Sequence, residues 1–358
     1  MAMDIADYLK IMVDKGGSDL FFRAGTTIRV RVNGQVLPVT DDFVSIDDIE
    51  MALQKLLSEE ARELFRKSKD IDFAYFEPGL KRRFRVSIFM QRNWPSIVAR
   101  NIPPVTKTLE ELKVPADILK KLAMERRGIV LLTGTMGSGK STTIASMVEY
   151  INNNAYKHIF TLEEPIEFTF SDKKSLINQR EIGKDVTSYP IALRAFTLQS
   201  PDVIYIGNIR DLETMQAALT VAETGVLVLS TLHTVNASQT VERMINFFPP
   251  HQHQQIRTQL SFLLKGVISL RLIPVKDGQS RVPAAEVMTL TPTIARLIRE
   301  GKVGEITRFL EESEIFGMMS FNQSLSRLVK DGLITEAEAM EYADSKDELV
   351  LALKGIKK

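Results

Sequence analysis

Eight consecutive residues, Gly134, Thr135, Met136, Gly137, Ser138, Gly139, Lys140 and Ser141, fit the spacing G-x-x-x-x-G-K-[ST]. A loop of this kind turns successive backbone N–H groups toward one point, and its glycines admit the dihedrals that the turn demands. Phosphate oxygens are the natural ligand of such a point. Lys140 reaches toward the β- and γ-phosphates, the Ser141 hydroxyl is a Mg²⁺ ligand, and Thr142 carries the cradle into a helix whose positive end faces the anion. The competing reading is a glycine-rich turn that binds nothing. It leaves unexplained the apolar run at 129–133 before the loop and the helical pattern at 142–150 after it, with Ile144, Met147 and Val148 on one face. The chemistry is nucleotide binding, and the ligands expected are ATP and Mg²⁺.

Hydrolysis asks for more: carboxylates near the metal and the attacking water, and cations for the charge that spreads over the γ-phosphoryl group. Three strand ends offer such groups. At 161–167 the pair Glu163 and Glu164 meets Pro165, which ends the strand; a solvated acidic turn is the competing reading. At 203–211 an apolar strand runs into polar residues, Arg210 and Asp211 among them, and where a catalytic-site carboxylate belongs this chain has Asn208. At 229–234 the strand ends in His233, read as a γ-phosphate sensor in preference to a hydrogen-bonded structural histidine.

These groups need a scaffold. Strands at 129–133, 159–162, 203–207 and 226–231 alternate with helical stretches, which predicts a mostly parallel sheet wrapped by helices with its ligand at the strand C-terminal ends. The first hundred residues read differently. A helix at 4–15 is followed by strands at 20–23, 28–32 and 35–39, with an Asn33-Gly34 hairpin turn between the last two. A helical pattern at 47–67, opened by Ser45, and strands at 71–76 and 83–90 complete a mixed α+β domain. The expected domains are thus 1–100, a proline-rich connector at 101–107, and 108–358. From 293 the pattern is almost wholly helical, with Ser320, Thr335 and Ser345 as caps and Gly301, Gly317 and Gly332 as stops.

Composition sets the outer bounds. At 358 residues, with 44% hydrophobic and 25% charged content, the chain is that of an ordinary globular protein of about two domains. A net charge of +1 gives no global case for nucleic acid or an anionic membrane. Without cysteine there is no disulfide, thiol nucleophile or Cys-ligated zinc. No apolar run reaches membrane-spanning length, so the expectation is a soluble, cytoplasmic protein.

Taken together, the motifs resemble those of the PilT/PilU family, the type IV pilus retraction ATPases of the bacterial secretion ATPase superfamily. Residues 134–142 match its Walker A box, 161–168 its acidic box, 201–214 its Walker B region and 223–234 its histidine box. Glu163, Asp211 with Glu213, and His233 stand at matching positions. Outside the boxes the match extends through 17–20, 32–34 and 293–300, while 13–21 and 317–323 lean to the PilU branch. The resemblance implies a PAS-like α+β N-terminal domain, a RecA-like P-loop motor domain with a helical tail, and a homo-hexamer. It also implies Mg²⁺ at Ser141 and Glu163, and Arg83, Arg85, Arg92 and Arg100 as candidates for contacting phosphate. The partners implied are a platform protein of the inner membrane, which the ATPase does not itself span, and a paralogous retraction ATPase.

Departures accompany the matches. Asn208 stands where the family has the glutamate that polarises the attacking water, Val226 where it has a first histidine, and Leu198 where it commonly has an arginine. An amide orients water but does not accept its proton as a carboxylate does. The expected activity is therefore ATP hydrolysis that powers pilus retraction, with slow turnover. The alternative is a nucleotide-binding ring, weakly active or inactive, that supports an active paralogue. An assembly or secretion motor would carry a further N-terminal domain and a four-cysteine zinc module, and a nucleic-acid motor is disfavoured by the near-neutral charge.

Overall fold

Alternating apolar residues in the first hundred positions call for a sheet covered on one face. The computed structural model, which describes residues 4–32, 34–102, 107–276, 280–312 and 317–354, contains such a sheet. Its strands are β1 (Asp19–Arg23), β2 (Thr27–Val32), β3 (Gln35–Phe43), β4 (Asp70–Glu77), β5 (Arg82–Gln91) and β6 (Trp94–Ile102). They lie in the order β3-β2-β1-β6-β5-β4, every neighbour antiparallel. Leu20, Phe22, Ile28, Val30, Phe84, Val86, Ile88 and Ile97 point to a core shared with helices α1 (Ile5–Asp14), α2 (Ile46–Leu56) and α3 (Glu59–Ser68). The helix expected at 47–67 is two, because Leu57 is extended and the Ser58 side chain accepts from Ala61 N to start a new one. Strand β6 went unread: it takes in Asn101 and Ile102, which the sequence assigned to the connector. Residues 103–106 of that connector, and Asn33 of the hairpin turn, lie outside the described residues.

The chain divides into two compact units, Met1–Pro104 with Pro165–Thr169, and Val105–Glu164 with Phe170–Lys358. The second holds helix α4 (Ala116–Ala123), strand β7 (Gly128–Thr133), helix α5 (Lys140–Asn154), strands β8 (His158–Glu163) and β9 (Leu176–Glu181), and helix α6 (Tyr189–Phe196). There follow β10 (Val203–Ile206), α7 (Leu212–Glu223), β11 (Leu227–Leu232), α8 (Ala237–Asn246), α9 (His253–Leu263), β12 (Leu264–Pro274) and β13 (Arg281–Thr289). The sheet order is β13-β12-β7-β11-β10-β8-β9; all pairs are parallel except the edge pair of β12 with β13. Every residue of β7, β10 and β11 is buried, as central parallel strands require. Neighbouring side chains along them alternate between two cores. Ile129, Leu131, Ile204 and Ile206 enter one, and Val130, Leu132, Tyr205 and Leu229 the other.

The four strands expected from the sequence are present, within a residue or two, as β7, β8, β10 and β11. Strands β9, β12 and β13 were not read. Beyond β13 come α10 (Pro292–Glu300), α11 (Ile306–Glu312), α12 (Phe321–Lys330), α13 (Glu336–Tyr342) and α14 (Lys346–Leu353), with Ser320, Thr335 and Ser345 capping the last three. Phe321, Leu325, Ile334 and Leu349 close a core over Ile273, Val282 and Ala284. Arg271 clasps this tail to β12. Its guanidinium lies 3.7 Å from the Phe321 ring centre and donates to Tyr342 O at 2.8 Å and to Asp344 at 2.6 Å. Among the described residues no helix is long and apolar enough to cross a membrane.

Candidate functional site

Strand β7 delivers the chain to Gly134, whose φ of 139° is open to glycine and little else. A Cβ there would lie 2.4 Å from Leu270 O and 2.5 Å from Ser138 Oγ, so the close turn also excludes a side chain sterically. Gly139, at φ 94°, caps α5 and hands the chain to Lys140, the first helical residue. Lys140 is 7% exposed, and its ammonium donates to the carbonyls of Gly134 and Thr135, at 2.7 Å each. The cation thus sits inside its own loop. Ser138 Oγ is buried there and finds no hydrogen-bond partner among the described residues. Thr135, Met136 and Gly137 form the exposed crest, and Ser141 and Thr142 follow in the first turn of α5, half-buried. Left-handed glycines, a helix N-terminus, a lysine folded into the loop and an unpartnered hydroxyl fit a polyphosphate.

The register sets what faces this loop. Leu232 pairs with Thr133, Ile206 with Ser230, and Leu162 with Ile206, so the ends of β11, β10 and β8 line up beside the end of β7. His233, Asn208 and Glu163 follow at that one sheet edge, in that order away from the loop. Cross-strand bonds fix the ends: Thr231 Oγ1 donates to Gly207 O at 2.7 Å, and Gly207 N to Leu162 O at 2.8 Å.

Glu163 is 3% exposed, and its Oε1 accepts from Thr161 Oγ1 at 2.7 Å and from Gln179 Nε2 at 3.4 Å. Glu164 is exposed instead and pairs with Arg210 at 3.4 Å. The two adjacent carboxylates therefore live in different environments. Asn208 Oδ1 is buried and accepts no hydrogen bond from any described residue. The His233 ring is exposed, and its pKa is lowered by partial burial first and then by the positive charges of Lys140, Arg210 and Arg243. It meets a ligand as the neutral imidazole at neutral pH.

Four other residues of the matching or departing positions can be placed. Asp211 is a helix cap: its Oδ1 accepts from Thr214 N at 2.8 Å and opens α7. Glu213 lines a groove between α6 and α7. Val226 and Leu198 do not surround the phosphate loop. Val226 precedes β11 at the opposite end of the strand from His233, about 20 Å away at strand rise. Leu198 follows α6 on the approach to β10 and is 88% exposed. One residue was missed. Tyr189, first in α6, brings its hydroxyl within 3.6 Å of where a Cβ on Gly207 would sit. Burial, then the charge of Glu164, raise its pKa, so it stays a neutral donor beside the carboxylates. Nothing in its sequence neighbourhood announces that, since the cap at Ser188 and the burial behind it appear only in the fold.

All four candidate arginines belong to the first unit, and the phosphate loop to the second. Arg85 pairs across the sheet with Arg100, Arg100 with Asp19, and Asp19 with Arg31, a charged row on one face. Arg83 lies two residues before Arg85 on that same face of β5, half-buried where Arg85 is exposed. Arg100 donates to Asp19 at 2.8 Å; burial of Asp19 opposes ionisation, yet this bond, that of Ser18 and the charges of Arg100 and Arg31 hold its carboxyl below the usual range. Arg92 stands apart, with φ 46° in the tight β5–β6 turn beside Asn93 at 66°. Seven residues of strand, about 20 Å, separate it from Arg85.

The family described as "Type II/IV secretion system protein" matches residues 2–352. The chain is 42% identical over 352 residues to the "Type IV pilus ATPase PilU" of Pseudomonas aeruginosa, covering 98% of this chain and 92% of that one. It is 40% identical over 341 residues to the "Type IV pilus retractation ATPase PilT" of the same bacterium, covering 95% and 98%. Among solved structures, the pilus retraction motor PilT with bound ADP is similar at a TM-score of 0.90 and 38% identity, over 97% of this chain and 98% of that one. The fold is accordingly a RecA-like P-loop α/β unit with a mostly parallel sheet, preceded by a smaller PAS-like α+β unit and followed by a helical tail.

Proposed function

The chain belongs to the type II/IV secretion system protein family, and from that premise we propose that it is an ATPase motor that powers retraction of a type IV pilus. The observation that carries this reading is Lys140, buried in its own glycine loop at the sheet edge that also ends in His233, Asn208 and Glu163. In hydrolysis the water oxygen bonds to the γ-phosphorus while the bond to the β–γ bridging oxygen breaks. Lys140 exchanges its two carbonyl acceptors for phosphate oxygens, and the loop N–H groups hold the rest. Ser141 and Glu163 would hold Mg²⁺, which would supply neutralisation of the phosphate charge. Among the described residues no three His, Cys, Asp or Glu side chains cluster to hold a metal, and Mg²⁺ shared with phosphates and water needs no such cage. Asn208 orients the water, Glu163 or Glu164 takes up its proton, and the neutral His233 imidazole hydrogen-bonds the γ-phosphoryl group. The working form is a cytoplasmic homo-hexamer at the inner-membrane pilus machinery, bound to its platform protein and completed by arginines of the first unit.

A second reading rests on Asn208 alone. With an amide in place of a carboxylate, the protein is a nucleotide-binding ring that supports an active paralogous retraction ATPase. Steady-state phosphate release with Mg-ATP separates the two. The motor reading expects slow, Mg²⁺-dependent turnover that Lys140→Ala removes together with most ATP affinity, while folding is retained. Tight Mg-ATP binding with no release above a buffer blank would select the accessory ring. Unchanged affinity in Lys140→Ala would remove the loop from both.

A further inference from the structure

Glu286 lies on β13, across β7 from the strands that carry Glu163, Asn208 and His233, and is 1% exposed. A carboxylate so deeply buried persists only where polar groups surround it. Two ties serve here. Its Oε1 accepts from the Ala237 backbone N–H at 2.6 Å, and Ala237 is the first residue of α8. That N–H is one of the helix's orphan donors, and a carboxylate is favoured at a helix N-terminus. The second tie crosses the sheet. Glu286 is in register with Ser269 and Ser269 with Thr133; Thr133 Oγ1 donates to Ser269 Oγ at 2.9 Å, and the Ser269 hydroxyl lies beside the Glu286 carboxylate and favours its charged form.

Both ties end on the candidate site. Thr133 directly precedes Gly134, and Ala237 follows His233 by four residues, the N-cap Asn236 between them. We propose that Glu286 is a positioning residue for nucleotide hydrolysis, holding the root of the phosphate loop and the exit of the His233 segment at a fixed spacing. Its surroundings suit a terminal acceptor held near neutrality. Burial raises its pKa to about 7, the Ala237 bond opposes that, the Asp344 charge adds to it, and the Arg271 charge and Ser269 bond oppose it. Arg271 is itself paired with Asp344, so neither supplies a separate counter-charge. The catalytic consequence rests on the ATPase reading; the mechanical coupling does not.

Hydrogen–deuterium exchange of the whole chain without nucleotide reads the coupling directly. Glu286→Leu should speed exchange at least tenfold in peptides spanning both 134–141 and 233–240. Glu286→Gln, which keeps a carbonyl for Ala237 N–H, should restore both to within threefold. Ser269→Ala breaks only the Thr133 side and should loosen 134–141 while sparing 233–240, so the test stands even if Glu286→Leu fails to fold. In phosphate release, Glu286→Leu should lower kcat at least tenfold with KM changed less than threefold. Exchange that rises only at 233–240, or a phosphate loop indifferent to Ser269→Ala, would overturn the proposal. If the wild-type chain releases no phosphate, the motor reading fails and the exchange result still decides the coupling.

Discussion

On the proposed mechanism, an amide at position 208 alters the handling of the water's proton. Its Oδ1 is already buried without a donor, so it is a ready acceptor for a water O–H, but its basicity is negligible. A well-placed general base contributes 10²–10⁴-fold, roughly 3–5 kcal/mol of barrier. Phosphoryl transfer leans mostly on positioning and electrostatics, so the loss need not abolish turnover. Asn208→Glu should therefore raise kcat at least about tenfold with Mg²⁺ still required, and Glu163→Gln should remove most of the wild-type rate. Val226 and Leu198 lie away from the loop and are not placed to reshape the surroundings of the amide. Equal rates for wild type and Asn208→Glu would mean that proton removal is carried elsewhere.

Among the elements, α7 shows what its leading acid does: Asp211 caps the helix. Asp211 Oδ1 accepts from Thr214 N, one of the helix's orphan donors, which gives the side chain a capping role. Losing such a cap costs about 1 kcal/mol, a fall in Tm of roughly 1–4 °C for a chain of this size. Asp211→Ala should show that shift while Mg-ATP affinity stays within about threefold of wild type, by thermal melting beside a fluorescent-nucleotide titration. The opposite pattern, an unmoved Tm with Mg²⁺-dependent binding lost, would give Asp211 a metal role instead. The two helices found where one was expected follow the same capping logic, since Ser58 offers its oxygen to Ala61 N and starts α3 afresh.

For the whole molecule, the proposal is a ring in which one subunit's first unit completes another's nucleotide site. Arg85 is the arginine best suited to test it. It is exposed on the β5 face, whereas Arg100 is held by Asp19 and Arg92 sits at the far end of the strand. Guanidinium forks match phosphate oxygens in geometry as well as charge. Subunits bearing Lys140→Ala, inactive alone, should regain part of the activity when mixed with Arg85→Ala subunits, because a mixed ring contains interfaces with both groups intact. Mixing that never exceeds the sum of its components, with both variants assembled, would count against cross-subunit completion.

The phosphate loop, the parallel strands around it, the β2–β3 hairpin of the first unit and the caps of the tail were legible in the sequence, because each is written in short-range spacing: glycine placement, apolar runs, period-two alternation, cap residues. Strands β6, β9, β12 and β13 were not; β9 is a partly exposed edge, and β12 and β13 differ little from buried helix in apolar pattern alone. The site divides in the same way. Lys140, Glu163, Asn208 and His233 belong to motifs that can be read along the chain. Only the tertiary structure decided that Val226 lies at the wrong end of its strand, that Asp211 caps a helix, and that Tyr189 and Glu286 reach the site's framework. Those are facts of register and packing between residues far apart in the chain, where burial rather than spacing sets what a side chain can do.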